Sequence, residues 1–249
     1  MNDHLTHPGG KVRLYVEAPL APDERVETSE AQSHYLLHVM RARSGDRISL
    51  FNGTDGEWRA TIVNVTKHHC VLTCDDQTRS QQNIPDLWLC FAPIKRTPAD
   101  YLTQKATELG VSVLQPVITH RTIVSRVNSE RMRANAIEAA EQSDRLTVPD
   151  VRQPLTLEKL LASWPSNRQL LFCDEAGEAP PMGRALAVDA HSVWGALTGP
   201  EGGFDVGERE RIRSHVFVTP VSLGPRILRA DTAALAVLAV WQALIGDWR

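Results

Sequence analysis

No stretch of this chain approaches the ~18 consecutive apolar residues needed to span a membrane. Its most apolar run, Ala233 to Trp241, is far shorter and must be covered by protein. The N-terminus, Met1 to Lys11, is polar, with no apolar run behind a basic start, so neither a signal peptide nor a membrane anchor is read there and a cytoplasmic location is expected. Cysteine is scarce. The four present, Cys70, Cys74, Cys90 and Cys173, are irregularly spaced in a chain too large to need disulfides, which implies reduced thiols. His68-His69-Cys70 with Cys74 has no second ligand pair at zinc-finger spacing, so the expectation is strand residues alternating between faces and no metal. A formal net charge of -3 excludes a wholly basic nucleic-acid binder. There is no Gly-x-x-x-x-Gly-Lys-Ser/Thr loop, the glycine spacing is wrong for a dinucleotide fingerprint, and no repeat or low-complexity tract occurs.

What is present is a globular composition, 42% hydrophobic and 23% charged over 249 residues, enough for one large domain or two ordinary ones. The cations are grouped: Arg41, Arg43 and Arg47; Lys95 with Arg96; and Arg121, Arg126, Arg131 and Arg133. Residues 12 to about 76 read as short alternating strands at Val12–Val16, Arg47–Phe51, Trp58–Val65 and His69–Cys74, punctuated by Asn52-Gly53 and Asp55-Gly56. A helical piece, Ser29 to Met40, interrupts them, so a small β-barrel over 1–76 is expected. Asp75 to Pro85 is polar and aperiodic and marks a boundary, with a linker at 77–85. Beyond it, from 86 to 249, strands alternate with helices. Strands fall at Leu87–Phe91, Val111–Ile118, Gln169–Cys173, Val193–Leu197 and Val216–Thr219, and helices at Pro98–Leu109 and Ser129–Gln142. That grammar implies a mainly parallel sheet with helices on its faces.

Two loops carry the candidate chemistry. Gly199-Pro-Glu-Gly-Gly-Phe204 follows a predicted strand, where open α/β sheets place ligands, and its paired glycines allow close approach to the backbone. Asp205 with Glu208 then matches an N-cap and capping box, starting a helix. The second loop, Ser222-Leu-Gly-Pro-Arg-Ile-Leu-Arg229, runs through Ala230-Asp231-Thr232 into the apolar terminal helix, which has no obvious wet face.

Taken together, Gly199–Gly203 and Leu223–Ala233 resemble the two signature loops of the RsmE family of ribosomal-RNA uridine-N3 methyltransferases, of the SPOUT class. His34-Tyr-Leu-Leu-His-Val-Met-Arg41, Gln104-Lys-Ala-Thr-Glu-Leu-Gly-Val111 and Glu141-Gln-Ser-Asp-Arg145 resemble further family elements, so the likeness spans nearly the whole chain. Asp144 stands where the family usually has glycine, and Ala230-Asp231-Thr232 where it has Thr-Glu-Thr.

The resemblance implies a PUA-like RNA-binding barrel, then a SPOUT domain whose chain forms a deep trefoil knot holding S-adenosylmethionine, in a homodimer that acts on small-subunit ribosomal RNA. On that basis Thr198, Gly199, Glu201, Gly202, Leu223, Gly224, Ile227 and Leu228 are expected to bind cofactor. Uridine N3 must lose its proton, and Arg229 is placed to stabilise the resulting charge, with Asp231 and Thr232 orienting it or the base. Arg41, Arg43, Arg47 and Arg145 are expected to contact RNA, with Glu141 helping to shape the pocket. Leu235, Leu238 and Trp241 are expected at the subunit interface. A non-catalytic ribosome-assembly protein on the same scaffold, or a methyltransferase with another RNA acceptor, remain alternatives.

Overall fold

A computed structural model describes residues 12–66, 69–124, 126–175, 179–186 and 193–248. The N-terminal residues Met1 to Lys11, His68 and the side chain of Arg96 lie outside the described residues. The chain divides into two compact units, one running through Asn83 and also taking Ala140–Val148, the other formed by Ile84–Ala139 and Pro149 onward.

The first unit holds β1 (Arg13–Tyr15), β2 (Arg25–Glu27), α1 (Glu30–His34), β3 (Arg47–Phe51), β4 (Glu57–Val65) and β5 (Cys70–Arg79). The sheet order is β1-β3-β4-β5-β2. Alternation works as the sequence suggests: Cys70, Leu72 and Cys74 of β5 point into a core with Leu36, Ile48, Leu50 and Ile62. Burial raises both thiols, Cys74 to about 11, as suits inert core cysteines. β2 is absent from the sequence reading because three residues with one buried side chain, Val26, are too short for their alternation to stand out. α1 begins at a Ser29–Gln32 capping box and runs on as a π-helical turn over Tyr35–Val39, after which Arg41 takes a left-handed φ of 57°.

Two differences from the sequence reading have one cause. β5 continues to Arg79, into the stretch read as linker, and Ala140–Val148 belongs with this sheet rather than with the residues around it in sequence. Both follow from buried polar bonding that hydropathy cannot register. Arg13 is 4% exposed and donates to Glu57 Oε1 (2.8 Å), Ala140 O (2.8 Å) and Arg145 O (2.6 Å), with its guanidinium over the Phe51 ring. Arg79 bonds the other Glu57 oxygen (3.2 Å) and Asp144 O (3.0 Å). The main-chain ladder, not side-chain apolarity, extends β5 opposite Glu57. Asp144, which stands where the resembled family usually has glycine, has φ 60°, a left-handed backbone that aspartate tolerates better than most residues.

The second unit contains β6 (Leu87–Phe91), α2 (Arg96–Glu108), β7 (Val113–Ile118), α3 (Ser129–Gln142, whose last turn belongs to the first unit), β8 (Asp150–Val151) and β9 (Leu155–Thr156). It continues with α4 (Leu157–Ala162), β10 (Gln169–Cys173), α5 (Met182–Leu186), β11 (Trp194–Thr198), α6 (Val206–Arg213), β12 (Val218–Val221) and α7 (Ala230–Leu244). The order is β12-β10-β11-β6-β7-β8, every pair parallel. Such a sheet is buried on both faces, and Leu87, Leu89, Leu170, Phe172, Trp194 and Leu197 are all fully buried.

α7 is not covered all round. Ala234, Val237, Leu238, Trp241 and Gln242 form one helical stripe packed into the unit's own core beside Leu102, Ala106, Leu89 and Trp194. Leu238 and Trp241, expected to face another subunit, are therefore core residues, and Leu235 packs partly against the same cluster. Ala236, Ala239, Val240, Ala243 and Leu244 remain partly or largely exposed. No helix among the described residues is long and apolar enough to cross a membrane.

Candidate functional site

Strands β10, β11 and β12 are neighbours, and the loops leaving their C-terminal ends line one cavity of about 970 Å³. Its walls are Cys173–Glu175, Thr198–Gly203 and Ser222–Asp231, with Ile94, Pro98, Pro181 and Ala233. This is where the strand directions of a parallel sheet leave backbone groups open to a ligand.

Each loop is held for a local reason. Gly203 N donates to Pro200 O (2.9 Å), closing a turn over Glu201 and Gly202, and the chain leaves that turn through a φ of 67° at Gly203, a backbone that suits glycine. A side chain at Gly199 would meet the Phe204 ring at 2.8 Å. Arg121 braces the loop from outside through Gly202 O (2.8 Å). Asp205 accepts from Glu208 N (2.7 Å) and Glu208 returns the bond, the capping box that starts α6; Glu208 also accepts from His120 N (2.7 Å). The Glu208 N–H foremost, and then the charges of His120 and Arg121, hold the Asp205 carboxyl below its ordinary value. The second loop is anchored where Ser222 bridges Pro181, with Ser222 N donating to Pro180 O (2.8 Å) and Met182 N to Ser222 O (3.1 Å).

All eight residues expected to bind cofactor, Thr198, Gly199, Glu201, Gly202, Leu223, Gly224, Ile227 and Leu228, line this cavity. So do Arg229 and Asp231. Arg229 is the exposed N-cap residue of α7, and its guanidinium has no salt-bridge or hydrogen-bond partner among the described residues. Thr232 does not line the cavity: it is exposed, one residue further round the helix, and its N–H donates to Asp231 Oδ1 (2.8 Å). Gly224 has φ 114°, and a Cβ there would find nothing within 4 Å, so the backbone is open. Among the described residues the N–H groups of Arg226, Ile227 and Leu228 have no protein partner, which leaves main-chain donors for a ligand beside the side chains of Leu223 and Leu228.

The remaining expected residues lie in the first unit. Arg41, Arg43 and Arg47 are exposed around the end of the π-helical turn and the start of β3, alongside exposed His38, Val39 and Met40. Arg145 donates to Thr147 O (3.1 Å) and Thr147 Oγ1 (3.0 Å), and Glu141 Oε1 accepts from Tyr15 N (2.9 Å), so both are engaged within that unit. Of the other cations, Arg131 pairs with Asp100 (2.8 Å).

Sequence reasoning missed Asp174 and Glu175. Their signal was available: acidic residues directly after a predicted strand, on the edge where such sheets bind ligands. Asp174 is buried against Arg213 (2.8 Å), while Glu175 faces the cavity. Burial, then repulsion from Asp174, raises the Glu175 carboxyl. Cys173 also lines the cavity, but burial pushes its thiol up to about 12, as suits an unreactive core cysteine. Among the described residues no group of three His, Cys, Asp or Glu is arranged to hold a metal ion.

Residues 80–242 match the family model of an RNA methyltransferase domain, and residues 28–73 that of an RNA methyltransferase PUA domain. The ribosomal RNA small subunit methyltransferase E of Rickettsia conorii is 34% identical over 91% of this chain and 93% of its own length. The protein of the same name from Synechocystis sp. is also 34% identical, over 91% of this chain and 77% of its own. The crystal structure of a ribosomal RNA small subunit methyltransferase E from Neisseria gonorrhoeae, bound to S-adenosyl methionine, is similar with a TM-score of 0.86 and 29% identity over 96% of this chain and 99% of that one. A putative methyltransferase from Legionella pneumophila, also with the cofactor bound, has a TM-score of 0.83, 29% identity and coverage of 95% and 98%.

Proposed function

The chain belongs to the ribosomal RNA small subunit methyltransferase E family, and from that premise we propose that it methylates N3 of a specific uridine in 16S ribosomal RNA, using S-adenosylmethionine held in the cavity at the ends of β10, β11 and β12. The observation that carries the reading is the convergence of both signature loops on that cavity.

The residues present suit the cofactor. S-adenosylmethionine has an adenine edge, a ribose and a charged amino acid end but no phosphate, and the cavity offers main-chain donors at Ile227 and Leu228, apolar walls and open glycine backbone, with no phosphate-binding lysine. When bound, the cofactor supplies a methyl group on sulfonium sulfur. The protein's task is to align a uracil N3 with it, so positioning carries much of the rate. As N3 gives up its proton, charge spreads to the imide oxygens, and the unpaired, exposed guanidinium of Arg229, which lines the cavity as Arg226 also does, is assigned to stabilise it. Asp231, in the first turn of α7, orients Arg229 or the base, and Thr232 acts only through its bond to Asp231.

The exposed arginines Arg41, Arg43 and Arg47 make the first unit the RNA-holding one by charge, with Arg145 in a supporting place. The stripe of α7 left partly or largely open by its own unit, Ala236, Ala239 and Ala243, supports a homodimer through that face. A trefoil-knotted chain path through the two loops and a cytoplasmic location complete the reading. Mass spectrometry of 16S ribosomal RNA from cells with and without the protein tests it: loss of one 3-methyluridine is expected, whereas an unchanged modification pattern would sink the assignment.

A further inference from the structure

Glu175 is a carboxylate in the cavity that methyl transfer leaves without a task. It follows β10 by way of Asp174 and lies across the glycine loop. The backbone N–H of Phe204 lies beside it and partly offsets the rise in its carboxyl pKa. A Cβ at Gly203 would collide with its Oε1, so the second glycine of the pair makes room for this side chain as well as supplying a positive φ. Among the described residues no cation lies within ion-pair distance of it, whereas its neighbour Asp174 is taken up by Arg213, with Arg209 Nε 3.9 Å away. The corner thus gathers two carboxylates and two guanidinium groups. It is balanced in charge, so it exerts little net pull on a cation, yet Glu175 keeps unused acceptor capacity.

An S-adenosyl ligand has one part that matches an acceptor without net charge. Adenine presents donors and acceptors that main chain can meet, and the 223–228 loop offers open main chain. The ribose presents two vicinal hydroxyl donors, and a carboxylate is acceptor-only, with room for both. We propose that Glu175 is the ribose-recognising residue of the cavity, its carboxylate accepting hydrogen bonds from the vicinal hydroxyls of the bound nucleoside. The proposal rests on the S-adenosylmethionine reading.

Calorimetry with three thioether probes tests it: S-adenosylhomocysteine, 5′-methylthioadenosine, which lacks the amino acid end, and 5′-methylthio-2′,3′-dideoxyadenosine, which also lacks the hydroxyls. Glu175→Gln should weaken the first two by the same factor, about 10- to 100-fold for hydrogen bonds to a charged group, and leave the third at its wild-type affinity. A loss confined to S-adenosylhomocysteine assigns Glu175 to the amino acid end and overturns the proposal. An equal loss on all three probes reduces the residue to a support for the glycine loop, and also overturns it. If the Gln variant does not fold by circular dichroism, Glu175→Asp, which keeps the charge but retracts it, replaces it with the same pattern expected. Wild-type protein that binds none of the probes would instead defeat the methyltransferase reading on which the proposal stands.

Discussion

Gly224 and Arg229 share one loop and are expected to fail in different ways. Gly224→Val forces a branched residue into a φ of 114°, so the loop must rearrange where cofactor is held, and S-adenosylhomocysteine affinity should be lost by calorimetry. Arg229→Ala removes an exposed cation and leaves the backbone alone. Single-turnover methylation should fall by about 10²–10³ with cofactor affinity retained, by analogy with the loss of an oxyanion-hole donor. Loss of cofactor affinity in the Arg229 variant would place that arginine in the cofactor pocket instead. At this scale the sequence was most legible where chemistry is written into residue type, as in the paired glycines and Asp205. It was least legible at Arg13 and Glu175, whose partners lie far away along the chain.

Secondary-structure elements raise a different kind of expectation. α7 reads as apolar throughout, and only the packing shows that Leu238 and Trp241 face their own core. Leu238→Ala should therefore cost about 2–5 kcal/mol in chemical denaturation, as for other large-to-small core changes, and not merely dissociate subunits. An unchanged unfolding midpoint would contradict this packing. α6 begins at the Asp205–Glu208 capping box, and the depressed Asp205 carboxyl gives it a pH signature. A group whose pKa falls on folding contributes stability that is complete above its unfolded value, near 3.8, and is lost as pH drops through the lower folded value. Asp205→Asn keeps a capping oxygen but not the charge. Its melting temperature should fall below wild type at neutral pH and converge with it in acid; a gap that persists at the lowest pH would assign the effect to shape, not charge.

For the whole molecule, the expected division of labour is between a unit that holds RNA by charge and one that holds cofactor. Changing Arg41, Arg43 and Arg47 together to alanine should weaken RNA binding, reduce the salt dependence by up to about three phosphate contacts, and leave S-adenosylhomocysteine affinity intact. Binding unchanged across a salt titration would mark the patch as a solvated face. Homodimerisation through the open stripe of α7 is checked by sedimentation of Ala239→Glu, which should run as a monomer that keeps its melting profile.

What the sequence determined by itself were the quantities set by local spacing and residue type. These are the strand–helix alternation of the second unit, the helix over Ser129–Gln142, the capping box, and the two loops whose glycines suit a ligand without phosphate. Only the tertiary structure decided which residues meet. It returned Ala140–Val148 to the first unit through the carbonyls bonded by Arg13, extended β5 through a ladder of polar residues, turned Leu238 and Trp241 inward, and set Glu175 against Gly203. The reason is physical. Helix and strand periods depend on neighbours a few residues away, whereas buried ion pairs, main-chain ladders and cavity walls depend on groups brought together across the fold.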